Sequence, residues 1–249
     1  MAKKYLLLLL FLMSIVLGGC AFSGTKNTPP SFDGIAEADQ YEVKAEIAGK
    51  VNNVFVKEGD EIKKGQLLVA LDDSLLKNQL EAARANLELA RLKYEQVAGK
   101  NQNLEEQAKA GIKLAQTQVD LAKIQLEKAK IYSPVSGTVL TTPVKPGEFV
   151  NPGTTVATII DLDKIYVTYY IPEKYLNRIK LGDTVCVKNE NLKMAPTGKV
   201  VYISPKGEFT PKPAETREDQ SEISYLVKIE LTKDFQDVRP GMLLTLTLP

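Results

Sequence analysis

The stretch IYSPVSGTV (residues 131–139) repeats a pattern that the chain already carries at EIAGKV (residues 46–51). In both places a strand-like sequence is followed by a glycine and, two residues after the glycine, a valine. Shifting the second passage by 88 residues brings eight positions into register: Gly49 with Gly137, Val51 with Val139, Val56 with Val144, Gly59 with Gly147, Asp60 with Glu148, Ile62 with Val150, Gly65 with Gly153, and Leu68 with Val156. The repeat predicts two halves of one small β domain.

Glycines recur at spacings of ten and six residues in both halves. Such regular glycines are typical of turns in which a side chain would obstruct the backbone. We therefore expect six structural turn positions: Gly49, Gly59, Gly65, Gly137, Gly147 and Gly153.

Between the two halves the hydrophobic period changes to alternating steps of four and three residues, which is the pattern of a coiled-coil seam. The first run is Leu76, Leu80, Ala83, Leu87, Ala90, Tyr94 and Val97, and the second is Ala108, Ile112, Ala115, Val119, Ala122, Leu126 and Ala129. Polar residues at 99–103 separate the runs. Two antiparallel helices over residues 73–130 are predicted, with Asp72 and Asp73 at the entry of the first helix.

After Asp163 several short stretches alternate as antiparallel strands, which predicts a small β-barrel of five or six strands. A short helix is expected to begin at Pro172. Cys186 lies within the alternating DTVCVKN and is predicted to be a buried strand cysteine. Residues 207–222 are proline-rich and charged and are expected to form a long exposed loop or strand extension.

The N-terminal segment combines Lys3 and Lys4 with a short apolar run that ends in LGGC, which is the organisation of a signal peptide over residues 1–19. This ending resembles the lipobox of bacterial lipoproteins. The resemblance implies cleavage before Cys20 and lipid attachment to that residue. Small, polar and proline-bearing residues follow, so residues 20–40 are predicted to form a lipid-anchored flexible tether.

Composition excludes several classes of function. The 249 residues contain no histidine and no tryptophan, and 32 basic side chains nearly balance 31 acidic ones. Without histidine the commonest general base and metal ligand is missing. Because the charges nearly balance, the composition does not indicate the basic surface with which proteins bind nucleic acid. No catalytic residue, cofactor site or metal site is predicted.

The two glycine-spaced halves, the YSPVSGTV opening of the second half and the VRPGM segment at residues 238–242 together resemble the periplasmic adaptor or membrane fusion proteins of the hemolysin-D type. The resemblance implies a mixed β and α fold: a split lipoyl-like (barrel-sandwich hybrid) domain with an inserted antiparallel coiled-coil α-hairpin, followed by a small antiparallel β-barrel. The implied boundaries are 41–72 and 131–162 for the two lipoyl-like halves, 73–130 for the hairpin and 163–249 for the barrel.

The same resemblance implies an adaptor subunit of a bacterial export or efflux system, lipid-anchored to the periplasmic face of the cytoplasmic membrane. It also implies that the protein is not an enzyme. Residues 207–212 and 215–218 resemble the branch that accompanies ABC-type transporters. Family members assemble as rings, typically hexamers, and can reach an outer-membrane channel. The expected channel contact is the hairpin tip, formed by Ala98, Gly99, Lys100, Asn101, Gln102 and Asn103. Phe209 and Arg217 in the barrel loop are expected to contact the transporter or a neighbouring subunit.

Three alternatives remain open from the sequence. The partner could be an RND or another secondary efflux pump, or the protein could be a structural coiled-coil envelope lipoprotein. A lipoyl or biotinyl carrier domain would need a modifiable lysine on the turn that the hairpin replaces. Lys77 lies near that junction, on the polar face of a predicted helix, and neither DKA nor MKM occurs there.

Overall fold

The computed structural model describes residues 29–209 and 223–248. Thirteen strands lie within these ranges: β1 (Ser31–Lys44), β2 (Gly49–Val54), β3 (Glu61–Ile62), β4 (Leu67–Leu71), β5 (Lys130–Tyr132), β6 (Gly137–Thr141), β7 (Phe149–Val150), β8 (Thr155–Pro172), β9 (Thr184–Lys188), β10 (Thr197–Ile203), β11 (Glu208–Phe209), β12 (Ile223–Lys233) and β13 (Leu243–Thr247). The helices are α1 (Ser74–Val97), α2 (Gln102–Lys128) and α3 (Glu173–Leu176).

The two glycine-spaced halves form one domain with a shared core. One sheet has the order β5-β4-β2-β7, and strands β3, β6, β8 and β1 lie next to one another in the other sheet. The valines that match in the repeat are both buried, since Val51 and Val139 are each 1% exposed. Leu68 and Val156, another matched pair, are completely buried. The apolar positions of the repeat are therefore the core of this domain.

Backbone hydrogen bonds interlock the two halves in a reciprocal pattern. The Val51 N–H donates to the carbonyl oxygen of Glu148 at 2.7 Å, and the Val139 N–H donates to that of Asp60 at 2.9 Å. These residues are paired in the sequence repeat, so each half supplies the other with the same bond. Because buried backbone groups must find partners, neither half satisfies its own hydrogen bonds alone. The prediction that the repeat forms two halves of one small β domain is confirmed.

The second β unit is a closed six-stranded barrel in the order β8-β12-β10-β9-β13-β1, because β12 also pairs with β8. Its interior is apolar, with Ile165, Val167, Tyr169, Ile229 and Leu244 all at most 1% exposed. The barrel predicted after Asp163 is present, but its sixth strand comes from the N-terminal side of the chain.

Strand β1 changes the boundary that the sequence indicated for the tether. Residues 31–35 pair with β13, so part of the predicted tether of residues 20–40 is a barrel strand. The inward positions of this strand include Gly34, against which the Tyr169 ring packs, and Ala36, which is 1% exposed. Small residues at inward positions give little hydrophobic alternation, so the sequence pattern of this strand resembles that of a tether.

Strands β1 and β8 run continuously through both β units. Strand β8 pairs with β6 through residues 158–160 and with β12 through residues 166–172. Strand β1 follows β8 along both units, with a register shift between Ala38 and Gln40. This two-stranded ribbon connects the interlocked domain to the barrel.

The prediction that Cys186 is buried is wrong, because its side chain is exposed. Val187 is fully buried and the half-buried Val185 also packs against the barrel core. Side chains alternate between the two faces of a strand, so the residue between these valines points outward. The predicted helix at Pro172 is a single turn, Glu173–Leu176.

Candidate functional site

The base of the helical hairpin is fixed to the interlocked domain. The Leu71 N–H donates to the carbonyl oxygen of Ala129 at 2.8 Å, which joins the strand entering the hairpin to the chain leaving it. Ala129 is fully buried in the core of the domain. The Lys128 ammonium also lies 2.8 Å from the Glu46 carboxylate. The arm therefore leaves the domain from a defined root rather than from a flexible linker.

Asp72 and Asp73 precede the first helix, as the sequence predicts, but the N-cap residue Asp73 makes no side-chain capping hydrogen bond. The Asp72 carboxylate accepts hydrogen bonds from the Ser74 hydroxyl at 2.7 Å and from the Ser74 N–H at 3.0 Å. These bonds favour the ionised carboxylate and lower the pKa of Asp72. Asp73 makes an ion pair with Lys77 at 2.9 Å on the side of the helix.

The hairpin buries the seam that the four-three spacing predicts. Leu80, Ala83 and Leu87 of α1 are at most 9% exposed, as are Ala115 and Ala122 of α2. Alternating large and small residues at a two-helix seam let the helices approach closely. The hairpin is accordingly a slender two-helix rod.

The tip consists of a short loop at residues 98–101 followed directly by the first turn of α2. Gly99 has a φ of +71°, a left-handed conformation that allows the chain to reverse after the first helix. The Asn101 side chain accepts a hydrogen bond from the Leu104 N–H at 3.2 Å and caps the second helix. Gln102 and Asn103, which the sequence assigns to the tip, belong to α2. All six predicted tip residues are exposed.

Glu105 connects the tip loop to both helices, and it is not among the residues predicted from the sequence. Its carboxylate accepts hydrogen bonds from the Gly99 N–H and the Tyr94 hydroxyl, each at 3.2 Å. Lys109 lies 2.7 Å from the same carboxylate and also lies over the Tyr94 ring. The hydrogen bond from Lys109, followed by that from Gly99, lowers the pKa of Glu105. An acidic residue at a seam position with a lysine four residues later was the signal in the sequence.

This cluster joins both helices and the loop through one carboxylate. Tyr94 belongs to α1, Lys109 to α2 and Gly99 to the loop between them. Glu105 also raises the pKa of Lys109, chiefly through their hydrogen bond. The tip is therefore a polar surface of fixed shape.

The remaining predicted contact residues lie elsewhere. Phe209 ends strand β11, whose backbone pairs with Ile223 of β12. Arg217 and the predicted lipid-attachment residue Cys20 lie outside the described residues. Of these three residues, the structure therefore describes only Phe209, which lies on a barrel strand and not at the hairpin tip.

Five of the six predicted turn glycines have a positive φ: Gly59 (89°), Gly65 (80°), Gly137 (159°), Gly147 (94°) and Gly153 (89°). Gly49 and Gly137 begin strands β2 and β6, so the description of these two as turns is corrected. At both positions a side chain would meet neighbouring atoms. A Cβ on Gly137 would lie 2.5 Å from the carbonyl oxygen of Ile160, and one on Gly49 would lie 3.3 Å from the Leu71 side chain.

Across residues 29–209 and 223–248, no cluster of metal-ligating side chains is present. Within the same residues, no helix is both long enough and apolar enough to span a bilayer.

Comparison with known proteins gives a family model described as the barrel-sandwich hybrid domain of RND membrane fusion proteins, which matches residues 39–162. A UPF0194 membrane protein of Yersinia pseudotuberculosis serotype O:3 (strain YPIII) is 32% identical over 225 residues, covering 87% of this chain and 68% of its own length. A UPF0194 membrane protein of Citrobacter koseri is 30% identical, covering 81% of this chain and 83% of its own length.

Solved structures share the fold. A MacA-MexA chimeric protein that contains the Pseudomonas aeruginosa MexA α-hairpin domain is similar, with a TM-score of 0.74, 24% identity and coverage of 89% of this chain and 82% of the chimera. The membrane fusion protein Spr0693 of Streptococcus pneumoniae R6 has a TM-score of 0.72 at 18% identity, covering 88% of this chain and 98% of its own. With a split barrel-sandwich hybrid domain, an inserted α-hairpin and relatives of this kind, the chain belongs to the membrane fusion protein family of periplasmic adaptors.

Proposed function

We propose that this chain is the lipid-anchored adaptor subunit of a bacterial export system and links an ABC-type transporter in the cytoplasmic membrane to an outer channel. The observation that carries the proposal is the hairpin. A rod of 24 residues in α1, about 36 Å long at 1.5 Å per residue, is rooted in the interlocked domain and presents an exposed polar tip. Such an arm suits contact with a partner at a distance from the body of the protein.

The anchor is supported by the sequence Leu17-Gly18-Gly19-Cys20 after a short apolar run. A doubly acylated cysteine holds a protein stably on a bilayer. An anchored adaptor searches for its transporter on a surface, which raises the effective concentration of the pair. Mass spectrometry of the purified membrane form is expected to find acyl chains on Cys20, and Cys20→Ser is expected to release the protein from membranes.

The class of transporter has two candidates. Residues 207–212 and 215–218 resemble adaptors of ABC-type exporters, which supports the ABC assignment. The description of the matching family model names RND membrane fusion proteins and favours an RND pump as the second candidate. A homo-oligomeric ring, hexameric as in other family members, accompanies either partner.

A photo-crosslinking amino acid placed at Lys100 or Phe209 tests both ends of the proposal in cells. Position 100 is expected to form adducts with an outer-membrane channel, and position 209 with the membrane subunit of a transporter. Thr117, which is exposed on the shaft of the hairpin, is the matched control position.

The identity of the adduct at position 209 separates the candidates. A membrane subunit that co-purifies with an ATPase subunit supports the ABC partner, and a proton-driven pump without one supports the RND partner. Adducts with neither a channel nor a transporter would reject the adaptor function and leave a structural envelope lipoprotein.

A further inference from the structure

Six turns of one design occur among the described residues, and each has glycine at its third position with a φ between +80° and +94°. In each turn the N–H of the fourth residue donates to the carbonyl oxygen of the first, and a side-chain atom of the fourth residue accepts from the N–H of the first. Proline suits the second position of such a turn. Five of the turns have a proline or a charged residue there: Glu58, Lys64, Pro146, Pro152 and Pro240.

The sixth turn has a leucine at that position. It spans Lys180, Leu181, Gly182 and Asp183, and the Asp183 carboxylate accepts a hydrogen bond from the Lys180 N–H at 2.7 Å. Leu181 is 69% exposed, the highest value for a large hydrophobic side chain within residues 29–209 and 223–248. The five other turns form without an apolar side chain at this position, so the geometry of the turn does not account for the leucine.

The Leu181 turn lies at the end of the barrel where the chain enters from its N-terminal segment. Ser31, the first residue of β1, pairs with Thr247, and the Leu248 N–H donates to the carbonyl oxygen of Pro30 at 3.0 Å. Strand β9 follows the turn and pairs antiparallel with β13, so the start of β9 lies beside the end of β13. The turn and Ser31 therefore share one end of the barrel, and the interlocked domain lies beyond the other end.

Basic and aromatic side chains gather at the same end. The Lys174 ammonium and the Arg178 guanidinium lie 5.2 Å and 5.6 Å from the centre of the Tyr175 ring. The Phe32 ring of β1 lies 5.5 Å from the same centre. Residues 173–183 carry three basic and two acidic side chains, and one of the two carboxylates is held within the turn. Aromatic rings and leucine beside lysine and arginine are typical of protein surfaces at a membrane–water interface.

We infer that this end of the barrel contacts the surface of a phospholipid bilayer, with the Leu181 side chain inserted among the lipids and Lys174 and Arg178 beside the phosphate groups. The length of chain before β1 favours a bilayer as the occupant. Ten residues separate Cys20 from Ser31, and a chain of that length spans at most about 40 Å. A lipid on Cys20 therefore keeps this end of the barrel close to the membrane.

The leucine and the basic residues suit different depths of the bilayer surface. Apolar side chains of surface-bound proteins enter the boundary between headgroups and acyl chains, about 5–10 Å deep. Lysine and arginine keep their charges at the level of the phosphates, where anionic lipids attract them. The inference rests on the proposed lipid anchor and adds to it, because acyl chains alone would hold the protein on a bilayer without selecting the surface that meets it.

The chain contains no tryptophan, so one introduced tryptophan reports on its own surroundings. The full acylated protein is reconstituted into vesicles of phosphatidylethanolamine and phosphatidylglycerol, with and without bromine on the acyl chains close to the glycerol. Bromine is expected to quench the fluorescence of Leu181→Trp at least about twofold, because aromatic rings at the interface lie near the upper acyl chains. Glu58→Trp, at the same position of the matching turn in the interlocked domain, is the control and is expected to keep its emission.

A second comparison tests the basic residues. Adding Arg178→Glu to Leu181→Trp is expected to reduce the quenching on these anionic vesicles, because the new carboxylate repels the phosphates. Adding Lys145→Glu instead makes the same change of charge in a turn of the interlocked domain and is expected to leave the quenching unchanged. Equal quenching of Leu181→Trp and Glu58→Trp, or quenching that Arg178→Glu does not reduce, would overturn the inference.

Two further measurements identify the occupant and separate this inference from the proposed function. A photo-crosslinking amino acid at position 181 is expected to form adducts with lipid in cells, and adducts with a transporter subunit would overturn the inference in favour of a protein contact. Mass spectrometry of the reconstituted protein reports the acyl chains on Cys20. Acylated protein with an unquenched Leu181→Trp would overturn the lipid contact alone, whereas absence of the acyl chains would overturn the proposed anchor and the inference with it.

Discussion

Tyr169 leads to a prediction that runs against the usual effect of a core substitution. The side chain is fully buried in the barrel, and its hydroxyl has no hydrogen-bond partner among the described residues. A buried hydroxyl without a partner costs about 1–3 kcal/mol in desolvation. Tyr169→Phe keeps the ring and removes that hydroxyl. We therefore expect the free energy of unfolding at neutral pH to rise by about 1 kcal/mol.

The effect should grow at high pH. Burial, followed by the nearby Asp33 charge, raises the pKa of Tyr169 well above its ordinary value. The folded protein then keeps this proton where the unfolded chain loses it. Ionisation of this group therefore leaves the parent's free energy of unfolding unchanged below about pH 10 and lowers it as the pH rises further, because the unfolded chain is then favoured. The gap between Tyr169→Phe and the parent should widen above pH 10 by about 1.4 kcal/mol per pH unit, because the other nine tyrosines are common to both proteins.

Urea unfolding followed by far-UV circular dichroism at pH 7 and at several values above pH 10 measures both effects. Tyr202→Phe is the control, since Tyr202 is 44% exposed. Its stability should change by less than about 0.5 kcal/mol. A loss of 1 kcal/mol or more in Tyr169→Phe at pH 7 would refute the reasoning, because it would show that the hydroxyl is satisfied, for example by a buried water.

Three further outcomes are expected. Gly34→Ala should lower the free energy of unfolding by about 2 kcal/mol or more, since its Cβ would lie 2.6 Å from the Tyr169 ring; an unchanged urea midpoint would contradict this contact. Glu105→Gln should speed hydrogen exchange at the tip amides, whereas the control Glu106→Gln should not. In the parent protein these amides should lose protection as the pH falls below about 4.5, because Glu105 is then protonated. Equal exchange in both variants would show that the Glu105 carboxylate does not hold the tip loop. Cys186 should react with a maleimide in the folded protein without prior unfolding, since it is exposed; protection until unfolding would contradict its outward orientation.

Much of the fold could be predicted from the sequence where local patterns coincide with burial. The matched valines at 51 and 139 indicate a duplicated core because the repeat places apolar residues at equivalent positions. The seam residues of the hairpin can be predicted equally well, since the helical period brings them onto one face whatever surrounds the helix.

Other features depend on neighbours that are distant in sequence. Glu105 was missed because its partner Tyr94 and the Gly99 amide lie across the turn, and pattern alone cannot show that their polar atoms meet. Residues 31–35 were missed because the weak alternation of a strand bearing Gly34 becomes meaningful only when Tyr169 fills the adjacent space.

The sequence by itself determined that two related β halves enclose a helical hairpin, because duplication and period are properties of the chain. The tertiary structure alone decided that the halves exchange backbone hydrogen bonds and that β1 closes the barrel. These features require residues far apart in the chain to occupy one surface, which depends on how the helices and strands pack and on their register.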